Sequence, residues 1–158
     1  MIYIKGARSI EKNRFFPFYT NWQRRGKYVA IVGLGSNIKN EKNRFLVLFR
    51  VLMRDRRLQV LQTSPFLINK AFGFEEQKDF TNAVMVISTS LHARALLKVL
   101  LFYEFKFKRK RTFKNAPRTL DLDLLYFSKK VRKDEYCVVP HKGVNDRISV
   151  ILPLGLLR

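Results

Sequence analysis

Thr81-Asn82-Ala83-Val84-Met85-Val86-Ile87-Ser88-Thr89, followed at once by Ser90 and the run Leu91–Phe105, sets the reading frame for the whole chain. The first segment is rich in valine and isoleucine. Such branched side chains are stiff at χ1 and suit a pleated surface, so it predicts a strand. Past Ser90 the period changes. Ala95, Leu96, Val99, Leu100 and Tyr103 recur at three- and four-residue spacing, which predicts a helix, and the Ser90 hydroxyl is suited to cap it.

Working outward, the same two periods recur. Towards the C-terminus a basic loop, Lys106–Arg118, precedes a strand at Leu120–Phe127 and a polar turn at Ser128–Asp134. The tail, Tyr136–Arg158, holds short apolar runs around Pro140-His141 and Leu152-Pro153. Towards the N-terminus, Thr63–Phe80 reads mostly as loop, Leu58–Gln62 as a strand and Glu41–Leu58 as a helix with Phe45, Leu48, Phe49, Leu52 and Met53 on one stripe. Tyr28–Gly33 is a strand, and Gly33-Leu34-Gly35-Ser36-Asn37 a turn. The series is β-α-β-β-α-β. It predicts an α+β fold of ferredoxin-like type, an antiparallel sheet with helices packed on it.

Residues 1–27 stand apart as a basic, aromatic extension with no clear period, containing Phe15, Phe16, Phe18, Tyr19 and Trp22. Residues 28–158 are expected to form one domain, a length that buries a sizeable core unaided. The single cysteine, Cys137, rules out an internal disulfide framework and fits a reducing, cytoplasmic setting. No secretory signal or membrane-spanning run is expected. The formal net charge of +20 points to polyanionic partners: nucleotide phosphates, nucleic acid or an anionic surface.

Asp121 and Asp123 sharpen that choice. Side chains two apart on a strand share one side, while Leu120, Leu122 and Leu124 face the other. Two carboxylates side by side repel unless a cation lies between them, so the pair is a platform for Mg²⁺, which takes one or two carboxylates together with substrate phosphates. The bland alternative is a strand with one solvated face. The cations just upstream, including Arg109, Arg111 and Arg118, favour a polyphosphate shared between metal and guanidinium groups. A solvated loop, or one that meets an RNA backbone, is the competing reading. Gly33 and Gly35 lack the third glycine of a dinucleotide loop, and no Walker lysine follows, so that turn alone reads as structural. His92 is given no role; His141, after Pro140 and before Arg147, matters only with its neighbours.

Together these segments resemble the hydroxymethyldihydropterin pyrophosphokinase family. Ala116-Pro117-Arg118-Thr119-Leu120-Asp121-Leu122-Asp123-Leu124-Leu125 is similar to the family signature GPRTLDLDIL. Gly35-Ser36-Asn37, Asn82-Ala83, Glu104 ahead of Arg109 and Arg111, and Pro140-His141 with Arg147 and Pro153-Leu154 follow in the family's order. The resemblance runs from Tyr28 to about Leu154 and implies an ATP-dependent diphosphotransferase of folate biosynthesis. By position it implies two Mg²⁺ on Asp121 and Asp123 and catalytic-loop arginines at Arg109 and Arg111. It puts Glu104, Arg118, His141 and Arg147 towards ATP, and Asn82 and Phe80 towards the pterin. The aromatic expected two residues beyond Arg147 is Ser149, which leaves Phe72 or Phe127 to supply the second stacking face. A cytoplasmic monomer without a specific nucleic-acid partner is the corresponding expectation. A basic RNA-binding module on the same fold is the alternative, and a degenerate binding protein a third.

Overall fold

The computed structural model describes residues 4–158. In chain order the elements are β1 (Ala7–Glu11), β2 (Phe18–Tyr19), β3 (Tyr28–Ser36), α1 (Glu41–Arg54), β4 (Leu58–Thr63), β5 (Phe66–Asn69), β6 (Phe80–Thr89), α2 (Ala93–Lys106), β7 (Asp121–Phe127), β8 (Arg132–Lys133), β9 (Val138–Val139) and α3 (Ile148–Gly155). The class is α+β. The main sheet runs β1-β5-β6-β3-β7, with β4 also on β6 and β2 on β4, and every pair is antiparallel. No helix among the described residues is long and apolar enough to cross a membrane.

Period-two alternation on β3 decides which layer goes where. Tyr28, Ala30, Val32 and Leu34 pack with Phe45, Leu48, Phe49 and Leu52 of α1 and with Leu96, Val99, Leu100 and Tyr103 of α2. Ile31 on the opposite face joins Val84, Leu125, Val144 and Val150, beneath α3.

The boundaries depart from the expected ones for local reasons. Helix α1 stops at Arg54 because Asp55 turns outward at φ −79°, ψ 112°, and its carboxylate accepts the Arg57 N–H at 3.0 Å, an Asx-type turn that competes with the helix. Leu58 therefore opens β4. Strand β3 continues through Gly33–Ser36, which pair with Val84–Thr81 of β6, so these residues are not a turn. The Ser90 hydroxyl does not cap α2; the N-cap residue is His92, and Thr89 Oγ1 accepts the Leu91 N–H at 3.1 Å instead. Within the expected loop 63–80 lies β5, paired to both β1 and β6.

Residues 1–3 of the expected extension lie outside the described residues. The rest of that segment lies against the sheet and α1. β1 adds to the edge at β5, and Phe16, at 0% exposure, stacks on Phe66 with ring centroids 4.7 Å apart. Phe15 stacks on Phe49 of α1 at 4.6 Å. The segment lacks a period because it makes two short strands joined by the irregular turn at Asn13, whose carboxamide oxygen accepts the Phe15 and Phe16 N–H groups at 3.1 Å each.

Candidate active site

On β7 the alternation buries Leu122 and Leu124 in the helix-facing core and turns Asp121 and Asp123 to the other side. Their partners across the ladder are Gly35 and Gly33 of β3. A Cβ at Gly35 would lie 3.0 Å from Asn82 Oδ1 and 3.6 Å from the Asp121 Cβ. Gly35 thus keeps clear the floor beside Asp121, a use of strand glycine for close approach, while the bare position at Gly33 admits the Leu125 side chain, 3.3 Å from where a Cβ would stand.

Asp121 is held by cations on both oxygens. Arg109 Nη1 donates to Oδ1, and Arg118 Nη1 donates to Oδ2 at 2.8 Å. Glu104, only 4% exposed on α2, accepts from Arg109 Nη1 at 2.7 Å, from Arg111 Nη2 at 2.9 Å and from the Leu122 N–H at 2.8 Å. Burial pushes the Glu104 carboxyl upward from its ordinary value despite these donors. Asp123 is also pushed upward, first by burial and then by the Asp121 charge. Burial works against the Arg109 cation, yet Asp121 and Glu104 outweigh it and hold the guanidinium firmly charged.

Two clefts meet at this pair. The first is lined by Phe72, Phe80, Asn82, Asn69 and Ser149, and the second by Glu104, Arg109, Arg111, His141 and Lys142 with the apolar wall Leu97, Leu101 and Val138. Both contain Asp121, Asp123, Asn115, Arg118 and Arg147. The site residues expected from the sequence, Phe127 excepted, therefore lie on one cleft or at the junction. Phe127 is buried in the core against the Tyr28 ring, and Phe72 lines the first cleft instead. Sequence reasoning missed Asn69, Leu97, Leu101, Val138 and Lys142, which carry no local signal, being ordinary strand, helix and loop residues until the fold gathers them.

The polar groups around the junction are oriented. Asn82 Nδ2 donates to Asn69 Oδ1 at 2.6 Å, which leaves Asn82 Oδ1 as an acceptor over Gly35. His141 N–H donates to the Leu125 carbonyl at 2.8 Å, and its Nδ1 accepts the Gly143 N–H at 3.1 Å, so Nε2 carries the proton of the neutral ring. Asn37 accepts the Arg118 N–H at 2.9 Å and donates to Gln77 Oε1 at 2.8 Å, and Gln77 Nε2 donates to the Asn115 carbonyl at 2.8 Å. The loops on either side of the first cleft are tied together through these amides. The Arg118 guanidinium lies 5.1 Å over the Phe80 ring, and that of Arg147 lies 5.3 Å over Phe72.

The donor chemistry at the junction fits magnesium. Carboxylate oxygens are hard ligands, and Mg²⁺ completes its shell from phosphates and water. Among the described residues no hydrogen-bond donor reaches the Asp123 carboxylate, although it is partly buried. A carboxylate pair ringed by guanidiniums, between an aromatic-amide pocket and a basic cleft with an apolar wall, is the equipment of a transferase that handles polyphosphates.

Comparison with known proteins gives the particular family. The family model described as 7,8-dihydro-6-hydroxymethylpterin-pyrophosphokinase matches residues 31–158. A Campylobacter jejuni protein named 2-amino-4-hydroxy-6-hydroxymethyldihydropteridine pyrophosphokinase is 68% identical, over 99% of this chain and 100% of its own length. Proteins of the same name from Helicobacter pylori and Bacillus subtilis are 34% and 31% identical, covering 94% and 80% of this chain and 93% and 76% of their own lengths. The chain belongs to the 7,8-dihydro-6-hydroxymethylpterin-pyrophosphokinase family. The RNA-binding alternative has no support among these relatives.

Proposed function

We propose that the chain transfers the terminal diphosphate of ATP to 6-hydroxymethyl-7,8-dihydropterin, giving AMP and the pterin diphosphate for folate biosynthesis. The observation that carries this reading is the meeting of the two clefts at Asp121 and Asp123. One cleft suits a flat heterocycle and the other a nucleotide, and the reacting atoms belong where they join. The hydroxymethyl oxygen attacks the β-phosphorus and gives up its proton to solvent water. The bond from the β-phosphorus to the α–β bridging oxygen breaks, and AMP leaves with that oxygen.

Positioning and charge neutralisation supply most of the catalysis in such transfers. Asn82 Oδ1 accepts from an N–H on the pterin edge, and the Phe80 ring offers it a stacking face. Phe72, 68% exposed at the mouth of the first cleft, closes over the other face where Ser149 leaves room. Leu97, Leu101 and Val138 receive the purine, and Glu104 lies on the nucleotide side. Arg118, His141 and Arg147 face the phosphates. Arg109 and Arg111, on the loop after α2, stabilise charge as AMP departs. Asp121 and Asp123 are the residues to hold two Mg²⁺, which when bound neutralise the ATP phosphates.

The finer fold belongs to the same reading. Numbering only the strands of the β-α-β-β-α-β series, the sheet order is second-third-first-fourth with α1 and α2 on one face, which supports a ferredoxin-like domain over 28–158. Residues 1–27 are then an addition to that domain, supported by a family match that begins at residue 31. A cytoplasmic monomer completes the proposal, supported by the ATP requirement and the lone thiol of Cys137.

The test is product identity. With ATP, Mg²⁺ and the pterin alcohol, the expected nucleotide product is AMP, formed only when the pterin is present. ADP as the product would place attack at the γ-phosphorus and overturn the assignment.

A further inference from the structure

The two carboxylates of the junction are chemically unequal. Asp121 has a guanidinium on each oxygen, whereas among the described residues none donates to Asp123. Arg109 is also over-determined in position. Its side chain is 10% exposed, its Nη1 is shared between Asp121 and Glu104, and its backbone N–H donates to the Glu104 carbonyl at 3.1 Å. Glu104 in turn is pinned to the strand that carries Asp121 by the Leu122 N–H at 2.8 Å. Arg111 reaches the same Glu104 from a far more exposed position and does not touch Asp121.

Resting on the function proposed above, we propose that Arg109 and Arg118 are internal counter-cations of Asp121 in the ligand-free protein, so that this carboxylate accepts a divalent metal only after a polyphosphate has taken the guanidiniums. A triphosphate offers several anionic oxygens in the fork geometry that guanidinium prefers, so it competes well for both arginines. A bare metal ion offers them nothing in exchange and meets two fixed positive charges at the carboxylate it needs. Metal and nucleotide therefore bind with positive coupling, and the coupling is reciprocal. Free metal at cellular concentration leaves the empty site unmetallated.

The test is Mn²⁺ titration of the ligand-free full-length chain, followed by electron paramagnetic resonance. Arg109→Ala is expected to tighten Mn²⁺ binding about tenfold over wild type, within the usual range of site coupling. Arg111→Ala removes an equal charge from Glu104 without touching Asp121, and should change Mn²⁺ affinity less than about threefold. Adding β,γ-methylene-ATP should close the gap between wild type and Arg109→Ala. Equal tightening in both variants, or none in Arg109→Ala, overturns the proposal. If Arg109→Ala does not fold, Arg118→Ala carries the same test with the same expected sign. Pterin-dependent AMP from a wild type that lacks this Mn²⁺ pattern would leave the function standing and remove the counter-cation role; the pattern without AMP would do the reverse.

Discussion

Asn82 has one hydrogen-bonding edge spent and one free. Its amide nitrogen is committed to Asn69, so replacing it with alanine removes the acceptor over Gly35 and leaves Asn69 Oδ1 without its donor. Asn82→Ala is expected to raise the KM for the pterin about tenfold or more, the equivalent of about 1–3 kcal/mol for an unpaired buried polar group. ATP affinity should stay within about twofold, since Asn82 lines only the first cleft. Steady-state kinetics with each substrate varied in turn checks both halves. At this scale the sequence is legible where local pattern carries the chemistry. Asp121 and Asp123 alternate with leucines, and that alternation alone puts them on one side. Glu104 is different: the backbone N–H it accepts belongs to Leu122, eighteen positions on, and no local pattern announces a contact across that separation. Gly33 and Gly35 were readable in principle. Glycine usually punctuates turns, yet their spacing of two matches the two aspartates they face across β3 and β7.

Among the elements, the brace between α1 and α2 rests on one carboxylate. Asp55 ends α1, pairs with Arg57, and accepts the Tyr103 hydroxyl of α2 at 2.6 Å. The Arg57 guanidinium holds the Asp55 carboxyl down to about 2, against an ordinary value of 3.8. A depressed carboxylate contributes stability that is present above 3.8 and lost as pH falls through about 2. Asp55→Asn is therefore expected to cost about 2 kcal/mol at pH 7, with the gap to wild type shrinking as pH falls below 3.8. Urea unfolding of both proteins at pH 7 and near pH 3 measures it; a gap that does not narrow in acid assigns the effect to packing. The N-terminal segment makes a second case. Phe16 is wholly buried among Phe45, Phe49 and Phe66, so Phe16→Ala should destabilise the chain by about 3–5 kcal/mol, a range read from the urea midpoint. An effect under about 1 kcal/mol would make the segment a loosely attached arm. No period in the sequence revealed this packing, because the segment is built from two short edge strands and an Asn13 turn, and β5 escaped notice as four residues directly after Pro65.

Across the whole molecule, the change between period two and period 3.6 was enough to read an antiparallel α+β architecture. The meeting of two clefts at one carboxylate pair was not, because Phe80 and Asn82 come from β6, Glu104 from α2 and His141 from the segment between β9 and α3. Only the completed sheet places β3, with its bare glycines, between β6 and β7. The net charge of +20 draws polyphosphates to the surface generally, and Arg109, Arg118 and Arg147 gather cations beside the carboxylate pair at this junction. The most direct test of that junction is AMP release from ATP, Mg²⁺ and 6-hydroxymethyl-7,8-dihydropterin, wild type beside Asp123→Ala. Wild type should form AMP, and the variant, folded and still able to bind ATP, should form it on the order of a thousandfold more slowly. AMP release that survives Asp123→Ala at near wild-type rate would contradict the account.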